Sequence, residues 1–111
     1  KKIEAIIREE RFEAVRQALE EKSYFGMTVS EVSGRGHQKG IRLQQRVGEY
    51  CVSLLPKIKI EVVVLDSDAY ILASIIRNVA KTGEEGDGKI FILPVEDAIR
   101  IRTGESGFNA V

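Results

Sequence analysis

Residues 57–81 read KIKIEVVVLDSDAYILASIIRNVAK, and the periodicity of this stretch changes near its middle. In residues 57–65 alternate positions are apolar, which predicts a β-strand with one buried face. In residues 66–81 the apolar side chains fall at i, i+3, i+4 and i+7, which predicts a helix to about Lys81. The helical stripe consists of Leu72, Ile75, Ile76 and Val79, and the side chains suited to the N-cap are Asp66, Ser67 and Asp68.

The first third of the chain has the same plan. Residues 1–7 predict a strand, residues 9–22 a helix and residues 27–32 a second strand. Residues 90–95 and 98–102 predict two further short strands. Two β-α-β units in one domain indicate an α+β fold of the ferredoxin-like class, a double βαβ sandwich with both helices on one face of an antiparallel sheet.

The composition limits the function. The 111 residues form one domain and carry seventeen basic and seventeen acidic side chains, so the formal net charge is zero. A nucleic-acid-binding domain would show a basic excess, and we expect no nucleic-acid partner. The single cysteine, Cys51, excludes an internal disulfide framework. The apolar runs are too short to span a bilayer and no signal-peptide pattern is present, so we expect a cytoplasmic domain with no membrane insertion.

The sharpest local signal is TGEEGDGK at residues 82–89. It nearly matches the phosphate-binding pattern G-x-x-x-x-G-K-[ST], but Ile90 replaces the final hydroxyl residue. The loop also connects a helix to a strand, which is the reverse of a P-loop, so it is not a Walker A motif. Three glycines and Lys89 are still suited to present N–H groups and one positive charge to a phosphate. An ordinary glycine-rich connection with an Asp-Gly turn is the alternative.

Two arginines lie in the last predicted strand. Arg100 and Arg102 would project from the same face roughly 7 Å apart, while Ile99 and Ile101 would face the core. Two parallel guanidinium groups suit a polyphosphate, whereas two solvated arginines on an edge strand are the more common arrangement. With Lys89 they predict an anion site for a nucleotide phosphate.

The segment between the two β-α units, residues 34–54, contains four glycines and is predicted to be a functional loop. His37 is the single histidine and has no Cys, Asp or Glu at metal-ligand spacing. No Ser-His-Asp or Cys-His arrangement can be assembled, because the sequence has only this one histidine, and we expect no enzymatic activity. Beyond this loop, Lys57 and Lys59 are expected to be solvated.

These features together resemble the nitrogen-regulatory PII signalling family over essentially the whole chain. The family's T-loop corresponds to about residues 36–54, its B-loop to residues 82–89 and its C-terminal segment to residues 103–111. The segments that carry the resemblance are residues 1–7, 26–29, 55–61, 82–91 and 99–105.

The resemblance implies a homotrimer that binds ATP or ADP in clefts between subunits. The implied nucleotide-binding residues are Ile6, Gly26, Met27, Thr28, His37, Gln38, Glu61, Val63, Gly86, Asp87, Gly88, Lys89, Arg100 and Arg102. The implied 2-oxoglutarate-binding residues are Gln38, Lys39, Gly40 and Lys57. Gln38 would also help to hold a Mg²⁺ that bridges ATP and 2-oxoglutarate.

The resemblance also implies regulation of target proteins through the T-loop, such as an ammonium channel or nitrogen-assimilation enzymes. Arg46 matches the residue that plugs the channel in channel-binding members, which implies a cytoplasmic protein that is peripheral at the membrane through the channel. Tyr50 matches the tyrosine that is uridylylated in some members.

Three departures from the family pattern are visible. His37 stands where the family usually has an arginine that contacts ATP phosphates, residues 45–48 change the T-loop tip, and Glu9 and Glu10 replace a Pro-Phe pair at the start of the first helix. The first two leave an alternative open, namely a diverged PII-like regulator of nitrogenase or a sensor of another carboxylate or bicarbonate.

Overall fold

The computed structural model describes the backbone of residues 1–35, 41–45, 48–52 and 54–111, and the side chains of residues 1–35 and 54–111. The strands in these ranges are β1 (Lys2–Arg8), β2 (Thr28–Gly34), β3 (Ile41–Gln45), β4 (Gly48–Val52), β5 (Leu55–Val63) and β6 (Lys89–Leu93). The α-helices are α1 (Phe12–Glu21) and α2 (Asp66–Ala80), and short 3-10 turns cover Glu9–Arg11 and Gly107–Ala110.

Four strands form one antiparallel sheet in the order β2-β5-β1-β6. Two interleaved β-α-β units produce this order, so the predicted α+β architecture is confirmed. β1 pairs with β5 along its length, with Ala5 opposite Ile60 and Ile7 opposite Ile58. These four side chains are buried and form the centre of the core.

Each helix contributes a buried stripe to that core. Val15 and Leu19 of α1, and Leu72 and Ile76 of α2, are completely buried, which confirms the predicted helical faces. The predicted side-chain N-cap of α2 was wrong. The N-cap is Leu65, and no side chain caps the helix. The aspartates at 66 and 68 lie inside the first turn, where their charges favour the positive end of the helix dipole.

The opposite side of the sheet, here called the open face, carries alternating charges on β1 and β5. Glu4 lies directly opposite Glu61, an arrangement of like charges that would destabilise the sheet. Lys2 pairs with both carboxylates, and the Lys59 Nζ lies 3.8 Å from Glu4 Oε1. The hydrogen bond from Lys2 holds the pKa of the Glu61 carboxyl below its ordinary value. The four residues form a neutral network on an otherwise mixed surface.

The prediction of a strand at residues 98–102 was wrong. The backbone carbonyl of Arg100 accepts the N–H of Gly104, and the backbone N–H of Arg100 donates to the carbonyl of Glu105, both at 2.8 Å. The chain therefore turns back on itself. Ile99 and Ile101, predicted to face the core, are 67% and 102% exposed. An alternating sequence forms a strand only where a neighbour offers backbone partners. Among the described residues, the one bridge of this segment joins Ile99 to Ser106 on its own return. Residues 98–107 are therefore called the C-terminal hairpin.

The predicted T-loop contains regular structure. β3 and β4 form a separate two-stranded antiparallel sheet, with Ile41 opposite Val52 and Gln45 opposite Gly48. The sequence pattern of residues 34–54 predicted a functional loop and did not reveal these two strands.

Candidate functional site

The B-loop is folded around the carboxylate of Asp87. Its Oδ2 accepts the backbone N–H groups of Thr82 and Gly83, both at 2.9 Å, and its Oδ1 accepts the Thr82 hydroxyl. From β1, Arg8 donates its Nε to Oδ1 at 3.0 Å. Desolvation alone would raise the pKa of the Asp87 carboxyl, but these hydrogen bonds together hold that pKa well below its usual range. The carboxylate is therefore an anchor of the loop, and a phosphate contact at this position would have to use the backbone.

The same hydrogen bonds divide the B-loop into two halves. In the first half, the N–H groups of Thr82, Gly83 and Glu84 all donate to side-chain oxygens of the loop itself. The second half contains Gly86 and Gly88, whose φ angles of 92° and 103° lie in the region that favours glycine. Backbone N–H groups in turns of this kind form concave sites for anions. The second half is thus the candidate anion-binding part.

Gly88 lies against the backbone of β1. A Cβ atom added at Gly88 would be 1.7 Å from the carbonyl oxygen of Ile6 and 2.8 Å from its carbonyl carbon. Both contacts are to backbone atoms, which cannot move aside as a flexible side chain can. The close approach fixes the position of the B-loop on the sheet and requires glycine.

Lys57 connects β5 to the B-loop. Its side chain donates to the carbonyl of Gly86, and the residue is only 7% exposed, so the prediction that Lys57 is solvated was wrong. Burial and the neighbouring Arg8 charge lower the pKa of the Lys57 ammonium, while Glu10 and Asp87 act in the opposite direction. Alternation along β5 identified the face of the sheet, but it did not reveal that the B-loop covers this end of it.

Arg8 was not predicted to belong to the site. It lies opposite Lys57 in the sheet, and its guanidinium reaches both Asp87 and the carbonyl of Glu85. The contacts join residues 79 and 77 positions apart in the chain, so no local pattern could have revealed them. The one feature of the sequence that could have indicated Arg8 is its position at the end of β1, two residues after Ile6 and on the same face. Arg8 and Lys57 place two positive charges beside the second half of the B-loop.

A cleft of about 400 Å³ lies between the B-loop and the end of α2. Lys89 is exposed at its edge, opposite Ile6 in the β1–β6 pairing. The lining residues are Ile6, Ile7, Ile76, Arg77, Ala80, Lys81, Asp87, Gly88, Lys89 and Ile90.

A second cleft of about 570 Å³ lies at the other end of the sheet. It collects five of the predicted nucleotide-binding residues, and Thr28 lies opposite Glu61 there. Along β5, Glu61 is four residues from Lys57, a separation of about 13 Å. The predicted residues that line the two clefts therefore form two separate groups. The predicted members of this second group are Gly26, Met27, Thr28, Glu61 and Val63.

Arg100 and Arg102 form a third group. Both are exposed in the C-terminal hairpin, and the described side chains include no ion-pair partner for either. The prediction that they share one face of a strand was wrong, because the segment is a turn. Neither arginine lines the cleft that Lys89 borders.

The predicted residues of the T-loop fall largely outside the description. His37, Gln38, Lys39, Gly40 and Arg46 lie outside the described residues. The backbone of Tyr50 is in β4, opposite Leu43.

Within residues 1–35 and 54–111, no three His, Cys, Asp or Glu side chains form a metal-binding group. Neither of the two α-helices in the described ranges is long and apolar enough to cross a bilayer.

The fold and the B-loop define a class, a ferredoxin-like α+β domain with a candidate anion site at one end of its sheet. The model of the family described as nitrogen regulatory protein P-II matches residues 1–105. Nitrogen regulatory protein P-II of Rhizobium meliloti is 50% identical over 111 residues, which cover all of this chain and 99% of the relative. Nitrogen regulatory protein P-II 2 of Methanothermobacter thermautotrophicus is 53% identical over the same length and is covered to 96%. The chain belongs to the P-II family of nitrogen-signalling regulators, which confirms the resemblance.

Proposed function

We propose that this chain is a cytoplasmic, non-enzymatic sensor that binds ATP or ADP and 2-oxoglutarate and regulates partner proteins through its T-loop. The observation that carries the proposal is the B-loop. The N–H groups of its first half donate to Asp87 and Thr82, its second half is shaped by glycine, and Arg8 and Lys57 lie beside it.

Nucleotide phosphates fit the second half of the B-loop. The N–H groups around Gly86 and Gly88 would donate hydrogen bonds to phosphate oxygens, and Lys89 would add a positive charge from the start of β6. Arg8 pairs with Asp87, and its positive charge reduces the repulsion between the Asp87 carboxylate and the phosphates. The loop is already held by its own hydrogen bonds, so little ordering is required when a nucleotide binds.

The two clefts of one chain support a trimeric arrangement. A cyclic assembly joins unlike surfaces of neighbouring copies, so the second cleft of one subunit can face the B-loop of the next. The base and ribose would then lie against Met27 and Thr28, and the phosphates against the neighbour's B-loop. The C-terminal hairpin fits this arrangement, since Ile101 and Phe108 are exposed apolar side chains of the kind that interfaces cover. It would carry Arg100 and Arg102 across the cleft.

The 2-oxoglutarate seat is proposed at Lys57 and Arg8, with the T-loop residues Gln38, Lys39 and Gly40 closing over it. Gln38 would help to hold a Mg²⁺, which would supply positive charge to the bound ATP and 2-oxoglutarate. Effector binding at the base of the T-loop would then favour one T-loop conformation. Target proteins such as an ammonium channel or nitrogen-assimilation enzymes would recognise that conformation through residues that include Arg46 and Tyr50.

Calorimetry tests this proposal. 2-Oxoglutarate should bind only in the presence of ATP and Mg²⁺, and Lys57→Met should abolish that binding. Lys59→Met is the matched control, because Lys59 lies two residues away on the same face and pairs with the open-face glutamates. Equal loss in both variants, or binding of 2-oxoglutarate without nucleotide, would contradict the assignment. A turnover assay should show no ATP hydrolysis above that of Arg102→Ala.

A further inference from the structure

The charges around Lys57 are balanced by two carboxylates. Arg8 and Lys57 lie opposite one another and provide two positive charges, and Asp87 and Glu10 provide two negative ones. Both carboxylates raise the pKa of Lys57, against the effect of burial and of Arg8.

The two carboxylates are held in different ways. Asp87 accepts hydrogen bonds from Arg8, Thr82 and Gly83 and lies inside the B-loop. Glu10 is 70% exposed at its side chain, and its Oε1 lies 3.9 Å from Arg8 Nη1, beyond hydrogen-bond distance. Asp87 is therefore a fixed counter-ion, whereas Glu10 can leave Arg8 without breaking a hydrogen bond in the described part of the chain.

Glu10 reaches Arg8 because of the local backbone. β1 ends at Arg8 and continues directly into the 3-10 turn Glu9–Arg11, which keeps the carboxylate beside the end of the strand. The neighbouring Glu9 is also exposed, but it forms no ion pair with the described residues.

We propose that Glu10 is an internal competitor for the carboxylate seat formed by Arg8 and Lys57. It neutralises part of the positive charge when no effector is bound, and an incoming dicarboxylate has to displace it. Glu10 thus sets the effector concentration at which the seat fills. The inference rests on the proposed function, because it takes 2-oxoglutarate as the ligand of Lys57.

The size of the effect follows from the exposure of the pair. Exposed ion pairs of this kind change an equilibrium by about two- to fivefold, and salt screens them. Removing the Glu10 charge should therefore tighten 2-oxoglutarate binding by that factor at low ionic strength, and by less in 0.5 M salt.

The experiment compares wild-type protein, Glu10→Gln and Glu9→Gln by calorimetry with 2-oxoglutarate, at saturating ATP and Mg²⁺. Both variants change the net charge by the same amount, so Glu9→Gln controls for the general field of the protein. We expect a Kd about two- to fivefold lower for Glu10→Gln and an unchanged Kd for Glu9→Gln. Equal thermal midpoints for the three proteins would exclude an effect through folding.

The outcomes separate this inference from the proposed function. Equal affinities in all three proteins would overturn the inference and leave the seat at Lys57 intact. Binding by Glu10→Gln alone, with none by the wild type, would support the inference in its strongest form. No binding by any of the three would overturn the 2-oxoglutarate seat, and this inference with it.

Discussion

Replacing Gly88 by alanine tests the contact that positions the B-loop. The new Cβ would lie 1.7 Å from the Ile6 carbonyl oxygen, and the φ of 103° is one that L side chains rarely adopt. The φ contributes about 1–3 kcal/mol of strain, and forcing an extra carbon into a filled space adds about 1–3 kcal/mol. We expect the free energy of unfolding in urea to fall by roughly 2–6 kcal/mol, and ATP binding to be lost with the displaced loop.

Two other glycines provide matched controls. Gly83 has a φ of 92° with no atom within 4 Å of an added Cβ, so Gly83→Ala isolates the backbone strain. Gly26 has neither feature, and Gly26→Ala should leave the stability almost unchanged. The protomer concentration must be the same throughout, because assembly contributes to the measured stability. If alanine at 88 and at 83 had the same cost, the close contact with Ile6 would not determine the loop position.

Three further predictions concern the charges and the assembly. Asp87→Asn should lower the free energy of unfolding at pH 7 by about 1.5–3 kcal/mol in urea titrations. Folding depresses the pKa of the Asp87 carboxyl, so the difference in free energy of unfolding should shrink as the pH falls below about 4. A difference that did not shrink in acid would contradict the anchoring role. ATP should raise the thermal midpoint of the wild type, and Arg102→Ala should lose most of that rise while keeping its own midpoint; an undiminished response would remove Arg102 from the site. Light scattering should give about three times 12.4 kDa, and a monomer at micromolar concentration would exclude the shared cleft.

The periodicity of the sequence predicted which side chains of the helices and of β5 are buried. Leu72 and Ile76 of α2 lie in the core, as expected. So do the alternate apolar residues of β5, namely Ile58, Ile60 and Val62. The alternation at Ile99 and Ile101 failed because a sequence pattern does not reveal whether a partner strand is available.

The candidate site was predictable to a smaller extent. The glycines and Lys89 of the B-loop could be identified because they are contiguous in the chain. The anchoring role of Asp87 could not, since it depends on Arg8, which is 79 residues away. The burial of Lys57 depends in the same way on a loop that follows it by 29 residues.

The position of Lys57 leads to a last prediction about coupling between the two ligands. Lys57 lies near the start of β5, directly after the T-loop, and it is bonded to the B-loop carbonyl of Gly86. One side chain therefore contacts the proposed phosphate loop and belongs to the proposed carboxylate seat. Coupling between two ligands is reciprocal, so 2-oxoglutarate should tighten ATP binding by the same factor by which ATP tightens 2-oxoglutarate binding.

In Lys57→Met we expect that factor to fall to about one, while ATP alone binds within about threefold of the wild-type affinity, since its phosphates use backbone N–H groups and Lys89. Calorimetric titration of ATP with and without 2-oxoglutarate measures the factor directly in each protein. Lys59→Met should retain the wild-type coupling, because its partners are Glu4 and Glu61 on the open face. Coupling that survived in Lys57→Met would mean that the two ligands communicate by a route that does not include this lysine.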